Sequence, residues 1–233
     1  MNERRFGLNH AMLPGIAFLI LAALFAFTDL DLMIARAWAY DAASRGFPAR
    51  EAWWTNELIH SGGKYGVGAV GLGSIGLWLV SYRFTHWREY RRAALFVFLA
   101  IGAAMLCVTI LKGLTNVDCP WDLVGFGGTR PYVPLFADRP DNLPHAACFP
   151  GAHSASGFAL MAFYFAVRER HPRAAWCALV LAILVGAVFS YGQEARGAHF
   201  LSHDLWSAFI VWFVQLALYM GVFRARLWPA AVG

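Results

Sequence analysis

The chain has 233 residues, of which 59% are hydrophobic and 14% are charged, and its mean hydropathy is +0.51. With 10 tryptophans and 19 phenylalanines, this composition excludes an ordinary soluble domain. The formal net charge is +5. The basic residues flank apolar runs, and no basic stretch elsewhere is interleaved with aromatic residues, so nucleic acid is not an expected partner.

Six apolar runs are roughly 17–20 residues long, which is close to the length that a helix needs to cross about 30 Å of hydrocarbon. They cover approximately residues 11–29, 65–82, 93–112, 153–168, 174–191 and 205–223. We therefore predict an all-α, polytopic membrane protein with six transmembrane helices, folded as a single domain over residues 1–233. The first run follows Arg4 and Arg5 as in a signal peptide, but no small-residue cleavage site closes it, so we expect it to be retained.

Arginines flank the runs on one side of the predicted bundle. The clusters are Arg4 and Arg5; Arg83, Arg88, Arg91 and Arg92; Arg168, Arg170 and Arg173; and Arg224 and Arg226. Because cytoplasmic loops carry an excess of Lys and Arg, this side is expected to be cytoplasmic in a bacterial inner membrane. The segments 30–64, 113–152 and 192–204 then face the periplasm.

The segment between the first two runs mixes tryptophans with charged residues, including Trp38, Trp53 and Trp54. This mixture predicts a short amphipathic helix near residues 50–61, lying at the outer interface with its aromatic side chains at headgroup depth. Such a helix would form a lid or lipid-entry element, or would simply connect two spans.

The four cysteines differ in location. Cys119 and Cys148 lie in the predicted outer loop, where disulfides persist, so we predict a bridge between them, with two free thiols as the alternative. Cys107 and Cys177 lie in apolar runs and are expected to be core residues. A zinc site that uses His145 would lack paired metal-ligand spacing, so we predict no metal and no cofactor.

Polar residues gather at the predicted outer ends of the runs, where they are costly unless they have a function. They are Lys112 at the end of the third run, Gly151, Ala152 and His153 at the start of the fourth, and Arg196 and His199 before the sixth. Cations and the free N–H groups of a helix N-terminus bind phosphate. An imidazole serves as nucleophile or proton donor near neutral pH. This combination indicates that a phosphate is bound and attacked at a membrane surface.

The order of these clusters resembles that of the type 2 phosphatidic acid phosphatase (lipid phosphate phosphatase) family, over roughly residues 93–215. That family carries the motifs Lys-x6-Arg-Pro, Pro-Ser-Gly-His and Ser-Arg-x5-His-x3-Asp. The matching residues are Lys112 and Pro120 in the first motif, Pro150 and His153 in the second, and His199 in the third. The resemblance implies metal-independent dephosphorylation through a phosphohistidine, with His199 as the nucleophile and His153 as the general acid.

This chain also departs from the family motifs. Cys119 stands in place of the first arginine, Gly151-Ala152 in place of Ser-Gly, Gln193 in place of the third-motif arginine, and His203 in place of the aspartate, with Asp204 one residue later. An inactive or repurposed homologue is therefore an alternative to an active enzyme.

We expect Arg130 and Arg196 to supply the missing positive charges. We also expect Asp204, rather than His203, to orient His199, because a charged acceptor makes the stronger hydrogen bond to an imidazole. Helical spacing favours His203 instead, since it lies four residues after His199.

We predict a phosphatase that hydrolyses a lipid-linked phosphate or pyrophosphate at the outer leaflet. Candidate substrates are undecaprenyl pyrophosphate, phosphatidylglycerol phosphate, phosphatidic acid and lipid A phosphate. One alternative is a phosphotransferase, in which a second lipid accepts the phosphoryl group. The other is a non-catalytic lipid-binding or transport protein, although the paired, Gly/Pro-broken spans typical of transporters are not evident. The sequence makes no prediction of the oligomeric state.

Overall fold

The computed structural model describes residues 3–223, and within them the chain is helical apart from its connecting loops and forms no sheet. The helices are α1 Arg4–Ala26, α2 Leu30–Ile34, α3 Trp54–Arg83, α4 Thr85–Leu114, α5 Ala152–Val167, α6 Pro172–Ala195 and α7 Leu201–Phe223. The predicted all-α class is confirmed. Arg224 and Arg226, which the sequence assigns to a cytoplasmic cluster, lie outside the described residues.

Five of the described helices, α1, α3, α4, α6 and α7, are long and apolar enough to cross a membrane. The chain is therefore a multi-pass membrane protein, but the predicted sixth span is the shorter helix α5. At 1.5 Å per residue, α5 extends only about 24 Å. Ala155, Ala159, Ala162 and Phe165 in α5 are all 0% exposed. Because α5 lies inside the bundle, its length need not match the full hydrocarbon thickness.

The segment 50–61 does not form a separate interfacial helix. A turn at Pro48–Glu51 is followed by Trp54–Gly62, which continues into Gly63–Arg83 without a break in helical backbone conformation. The second span therefore begins well before the predicted residue 65, because the aromatic residues that suggest an interfacial helix form the first turns of α3.

Small residues allow α5 and α6 to pack closely. A Cβ atom added at Gly157 would lie 2.8 Å from the Cα of Gly186, and one added at Gly186 would overlap the ring of Phe158. Helices in a bilayer commonly associate through such small residues, since apolar side chains gain little by leaving lipid. The contact holds α5 against α6 at the centre of the bundle.

The arginine clusters next to Phe6, Glu89 and Arg168 lie at one end of the bundle. The guanidinium of Arg168 lies 4.4 Å from the ring centroid of Phe6 and donates to the hydroxyl of Tyr219 at 3.3 Å. Arg170 forms an ion pair with Glu89. These contacts join the start of α1, the start of α4 and the ends of α5 and α7, so the polar clusters at the other ends of α4 and α5 lie on the opposite side.

Loops cover the end of the bundle that carries these polar clusters. Phe47, Leu123, Phe126 and Phe200 form a small buried core there, separate from the core between the helices. The N–H of Trp121 donates to the carbonyl of Gly197 at 3.0 Å. The loops therefore fix the turn that joins α6 to α7.

Candidate active site

His199 lies in the tight turn between α6 and α7. The chain leaves α6 through Gly197, whose φ of +71° is the left-handed conformation that ends many helices and favours glycine. The N–H of Ala198 donates to the carbonyl of Gln193 at 2.9 Å and closes the turn. Because α7 begins at Leu201, His199 precedes the helix, and its side chain is almost fully buried.

The groups that surround His199 favour its neutral form. Burial lowers the pKa of His199 well below 6.5, and the nearby positive charge of Lys112 lowers it further. His203 and His153 act on the pKa of His199 in the same direction. Lys112 and His153 are thus close enough to act on the pKa of His199, and at neutral pH His199 keeps an unprotonated ring nitrogen that can act as a nucleophile.

The predicted anion-binding residues Gly151 and Ala152 lie at the start of α5. Gly151 precedes the helix, so the first N–H groups of α5 have no acceptor within it. A Cβ atom at Gly151 would overlap the carboxylate of Asp204 and lie 2.6 Å from the hydroxyl oxygen of Ser154. Gly151 therefore allows α7 to approach the start of α5.

His153 contacts two aromatic rings. It stacks on Phe189 of α6 with ring centroids 4.4 Å apart, and its centroid lies 4.6 Å from that of His60 of α3. Its Nε2 atom is buried and has no hydrogen-bond partner among the residues that the structure describes. His60 was not identified from the sequence. The one feature of the sequence that could have indicated it is a polar side chain near the start of a long apolar helix.

The predicted link between Asp204 and His199 is not a direct hydrogen bond. Asp204 Oδ1 accepts from the hydroxyl of Ser154 at 2.6 Å, and Asp204 Oδ2 is buried without a partner within residues 3–223. His203 Nδ1 lies 3.0 Å from the carbonyl oxygen of Cys148, and the rings of His199 and His203 are 5.9 Å apart. The orienting role of Asp204 therefore stays a prediction.

The two arginines that were predicted to bind substrate have different surroundings. Arg130 lies 2.6 Å from Asp118 and 3.8 Å from Asp122, so these carboxylates already neutralise its charge. Burial lowers the pKa of Arg196, and its Nε atom is buried without a hydrogen-bond partner in the described part of the chain. Arg196 is therefore the better candidate for binding a phosphate, and the contacts of Arg130 favour a role in holding the loop.

Cys119 and Cys148 connect the loop after Lys112 to the segment before His153. Their sulfur atoms are in bonding contact and their Cα atoms lie 5.2 Å apart, within the usual range for a disulfide. The N–H of Cys148 also donates to the carbonyl of Val117 at 3.0 Å. The two segments are thus held side by side at the mouth of the site.

A cavity of about 1120 Å³ runs along the bundle, and Asp204 is the site residue in its lining. It begins beside Asp204 and Glu194 and continues towards Arg168 at the other end. Its walls come from α1, α5, α6 and α7 and are mostly apolar; they include Leu21, Met161, Trp176, Ile183, Ala208 and Trp212. A large apolar cavity with a few polar groups is typical of a binding site for an apolar ligand.

The comparison with known families agrees with this arrangement. The family model of the PAP2 superfamily matches residues 93–227, which run from α4 to beyond α7 and include Lys112, His153 and His199. No curated protein and no solved structure matches the chain significantly. The match confirms the resemblance to type 2 phosphatidic acid phosphatases. The chain therefore belongs to the PAP2 superfamily and is a membrane phosphatase.

Proposed function

We propose that this phosphatase hydrolyses a lipid-linked phosphate or pyrophosphate through a phosphohistidine on His199. The observation that carries the proposal is the meeting of Lys112, His153 and His199 at one end of the helix bundle, although they come from three separate helices or turns. A neutral nucleophile, a second imidazole and a cation are the groups that transfer of a phosphoryl group to histidine requires.

In the first step, the unprotonated ring nitrogen of His199 attacks the phosphorus atom and the bond to the lipid oxygen breaks. His153, protonated when the phosphate is bound, donates its proton to that leaving oxygen. Lys112, Arg196 and the first N–H groups of α5 stabilise the charge on the other phosphate oxygens. A lipid alcohol, or a lipid monophosphate from a pyrophosphate, leaves the site.

In the second step, water attacks the phosphorus atom of the phosphohistidine. His153, now neutral, accepts a proton from the water, and the N–P bond to His199 breaks. Inorganic phosphate is released, and both histidines return to their starting states. The same intermediate would serve a phosphotransferase if a lipid hydroxyl replaced the water.

Two features of the whole structure support a lipid substrate at the outer leaflet. The apolar cavity beside Asp204 offers a place for a hydrocarbon chain whose phosphate occupies the site. The site also lies at the opposite end of the bundle from Arg168 and Arg170, and arginine-rich ends of membrane proteins are mostly cytoplasmic. The site would then face the periplasm of a bacterial inner membrane, with surrounding membrane lipids as partners.

The proposal includes activity without a divalent metal. The charges of Lys112 and Arg196 repel a divalent cation and attract the phosphate that it would otherwise neutralise. Vanadate, which mimics five-coordinate phosphorus, is expected to inhibit. Full activity in EDTA supports this part of the proposal, whereas loss of activity that magnesium restores contradicts it.

The decisive experiment measures phosphate release by the purified chain from a panel of the four candidate lipids. We expect His199→Ala to abolish the release of phosphate. The matched control is His145→Ala, because His145 is an exposed residue in a loop. Quenching without acid during turnover of labelled substrate should leave label on His199. Activity that survives in His199→Ala would refute the proposal, and label that passes to a second lipid instead of to phosphate would identify a phosphotransferase.

A further inference from the structure

His60 lies outside the segment 93–227 that matches the family, yet the fold places it against a proposed catalytic residue. The ring centroids of His60 and His153 lie 4.6 Å apart, with the ring planes inclined by 49°. The backbone carbonyl of Ile59, the preceding residue, also faces the His153 ring. Helix α3 therefore contributes two contacts to His153, in addition to the stack on Phe189 of α6.

Two glycines set the distance between α3 and α6. A Cβ atom at Gly192 would lie 2.8 Å from Cγ2 of Ile59, and one at Gly63 would overlap the ring of Phe189. Larger residues at either position would push the helices apart. His60 lies between Ile59 and Gly63 in the sequence, so the close approach of α3 to α6 carries His60 into the site.

Gln193 fixes the ring of His60. The side-chain nitrogen of Gln193 lies 3.2 Å from Nδ1 of His60. With the amide nitrogen as donor, Nδ1 accepts the hydrogen bond and neutral His60 carries its proton on Nε2. The hydrogen bond thereby sets both the tautomer and the orientation of the ring. Gln193 stands where the motif that this chain resembles has an arginine, and here its amide binds His60.

We propose that His60, held by Gln193, is a positioning residue that keeps the imidazole of His153 oriented for proton donation to the leaving oxygen. The inference rests on the proposed role of His153 as the general acid. His153 Nε2 has no hydrogen-bond partner among the described residues, so that nitrogen is available to the substrate. The orientation of the ring then depends on its contacts with Phe189, Ile59 and His60.

This role predicts a dependence on the leaving group. A general acid matters most when the leaving oxygen is strongly basic, as in a lipid alcohol, and little when the leaving group is a stable anion such as p-nitrophenolate. The second step is common to both substrates, whereas kcat/KM reports the reaction only up to departure of the leaving group. A misoriented His153 therefore lowers kcat/KM for phosphatidic acid but not for p-nitrophenyl phosphate. A residue that only supports the fold or the binding of phosphate would affect both substrates.

The test measures kcat and KM for dioctanoyl phosphatidic acid and for p-nitrophenyl phosphate in detergent micelles. We expect His60→Leu to lower kcat/KM for phosphatidic acid at least tenfold, with kcat/KM for p-nitrophenyl phosphate within threefold of wild type. Gln193→Leu should show a smaller change of the same kind, because it releases the His60 ring. His145→Leu, which removes an exposed histidine, is the matched control.

The outcomes separate this inference from the proposed function. Equal losses of kcat/KM on both substrates would overturn the positioning role. It would also be overturned if neither His60→Leu nor Gln193→Leu lowered kcat/KM for either substrate. His153→Ala should show the largest contrast between the two substrates. If His153→Ala shows no such contrast, the general-acid role itself is refuted. If the wild type hydrolyses another of the four candidate lipids instead, that lipid replaces phosphatidic acid in the test. A wild-type chain that hydrolyses none of the four would refute the proposed function and this inference with it.

Discussion

Burial governs the chemistry of each histidine in the site. His199 and His203 are each 5% exposed and His153 is 8% exposed. A buried imidazole is difficult to protonate, and the neighbouring Lys112 adds to this effect at His199. A bound phosphate supplies the negative charge that these surroundings lack. We therefore expect the site to change its protonation when it binds the substrate.

Asp204 and His203 compete for the role of orienting His199. Asp204 is fully buried and accepts from Ser154, whereas His203 is bound to the carbonyl of Cys148. We expect Asp204→Asn to lower kcat at least tenfold, because the phosphorylated ring is electron-poor and a carboxylate stabilises it better than an amide. His203→Gln should have the smaller effect. Turnover of both variants, with folding checked by thermal melting, decides the order; a reversed order would assign the role to His203.

The buried carboxyl group of Asp31 is expected to make the stability of the fold depend on pH. This residue is 7% exposed and accepts the N–H of Ser202 in the first turn of α7 at 3.0 Å. Burial raises its pKa from 3.8 to about 6. Between these values the folded state binds a proton that the unfolded state releases, so stability falls as pH rises, by up to about 3 kcal/mol.

The measurement compares melting temperatures of wild type and Asp31→Asn from about pH 4 to pH 7. The wild type should lose stability relative to the variant across this range, because Asn keeps the acceptor oxygen without the buried charge. Parallel curves would contradict the raised pKa of Asp31.

Helix ends, rather than helix interiors, carry the site. Lys112 lies in the last turn of α4, His153 in the first turn of α5, and His199 just before α7. Because α5 is short and α6 ends at a glycine turn, the end of α4 and the starts of α5 and α7 lie at the same end of the bundle. The loop segments around Cys119 and Cys148 then hold the ends of α4 and α5 together.

The bridge between Cys119 and Cys148 predicts which thiols react. Labelling of the unreduced, denatured chain should modify only Cys107 and Cys177. A bridge across a sequence separation of 29 is expected to contribute roughly 3–4 kcal/mol to stability. The paired substitution of both bridged cysteines by serine should therefore lower the melting temperature. Four reactive thiols in the unreduced chain would rule out the bridge.

The apolar cavity predicts a preference for long hydrocarbon chains. Ala208 of α7 lines the cavity, so Ala208→Trp should fill part of it. We expect kcat/KM for dioleoyl phosphatidic acid to fall at least tenfold, while the dioctanoyl substrate changes less than threefold. Leu106→Trp, on an exposed position of α4, is the control for a bulky residue that faces lipid. Equal effects on both substrates would argue against chain binding in this cavity.

The whole molecule is polarised between an arginine-rich end and a phosphate-binding end. Contacts of Arg168 with Phe6 and Tyr219 define the first end, and Lys112 with His153, His199 and His203 defines the second. The α-helical bundle holds these ends apart across the thickness of the bilayer. Sidedness in the cell therefore decides which leaflet supplies the substrate.

Two exposed histidines allow a matched test of sidedness. His86 lies at the arginine-rich end and His145 at the other end. In spheroplasts of bacteria that express the chain with Cys107 and Cys177 replaced by serine, a membrane-impermeant maleimide should label His145→Cys and not His86→Cys. Detergent should make both positions reactive. Labelling of His86→Cys alone in intact spheroplasts would reverse the proposed orientation.

The sequence by itself determines the membrane class, and it predicts the residues of the proposed phosphate site and the disulfide pair. These features depend on hydropathy over long runs and on motifs of a few residues, such as those around His153 and His199. Only the tertiary structure decides that α5 is an inner helix and that Trp54–Arg83 is continuous. It also decides that Arg130 is paired with Asp118 and that His60 meets His153. Such contacts join residues far apart in sequence, and they depend on glycines at helix crossings whose effect no local pattern reveals.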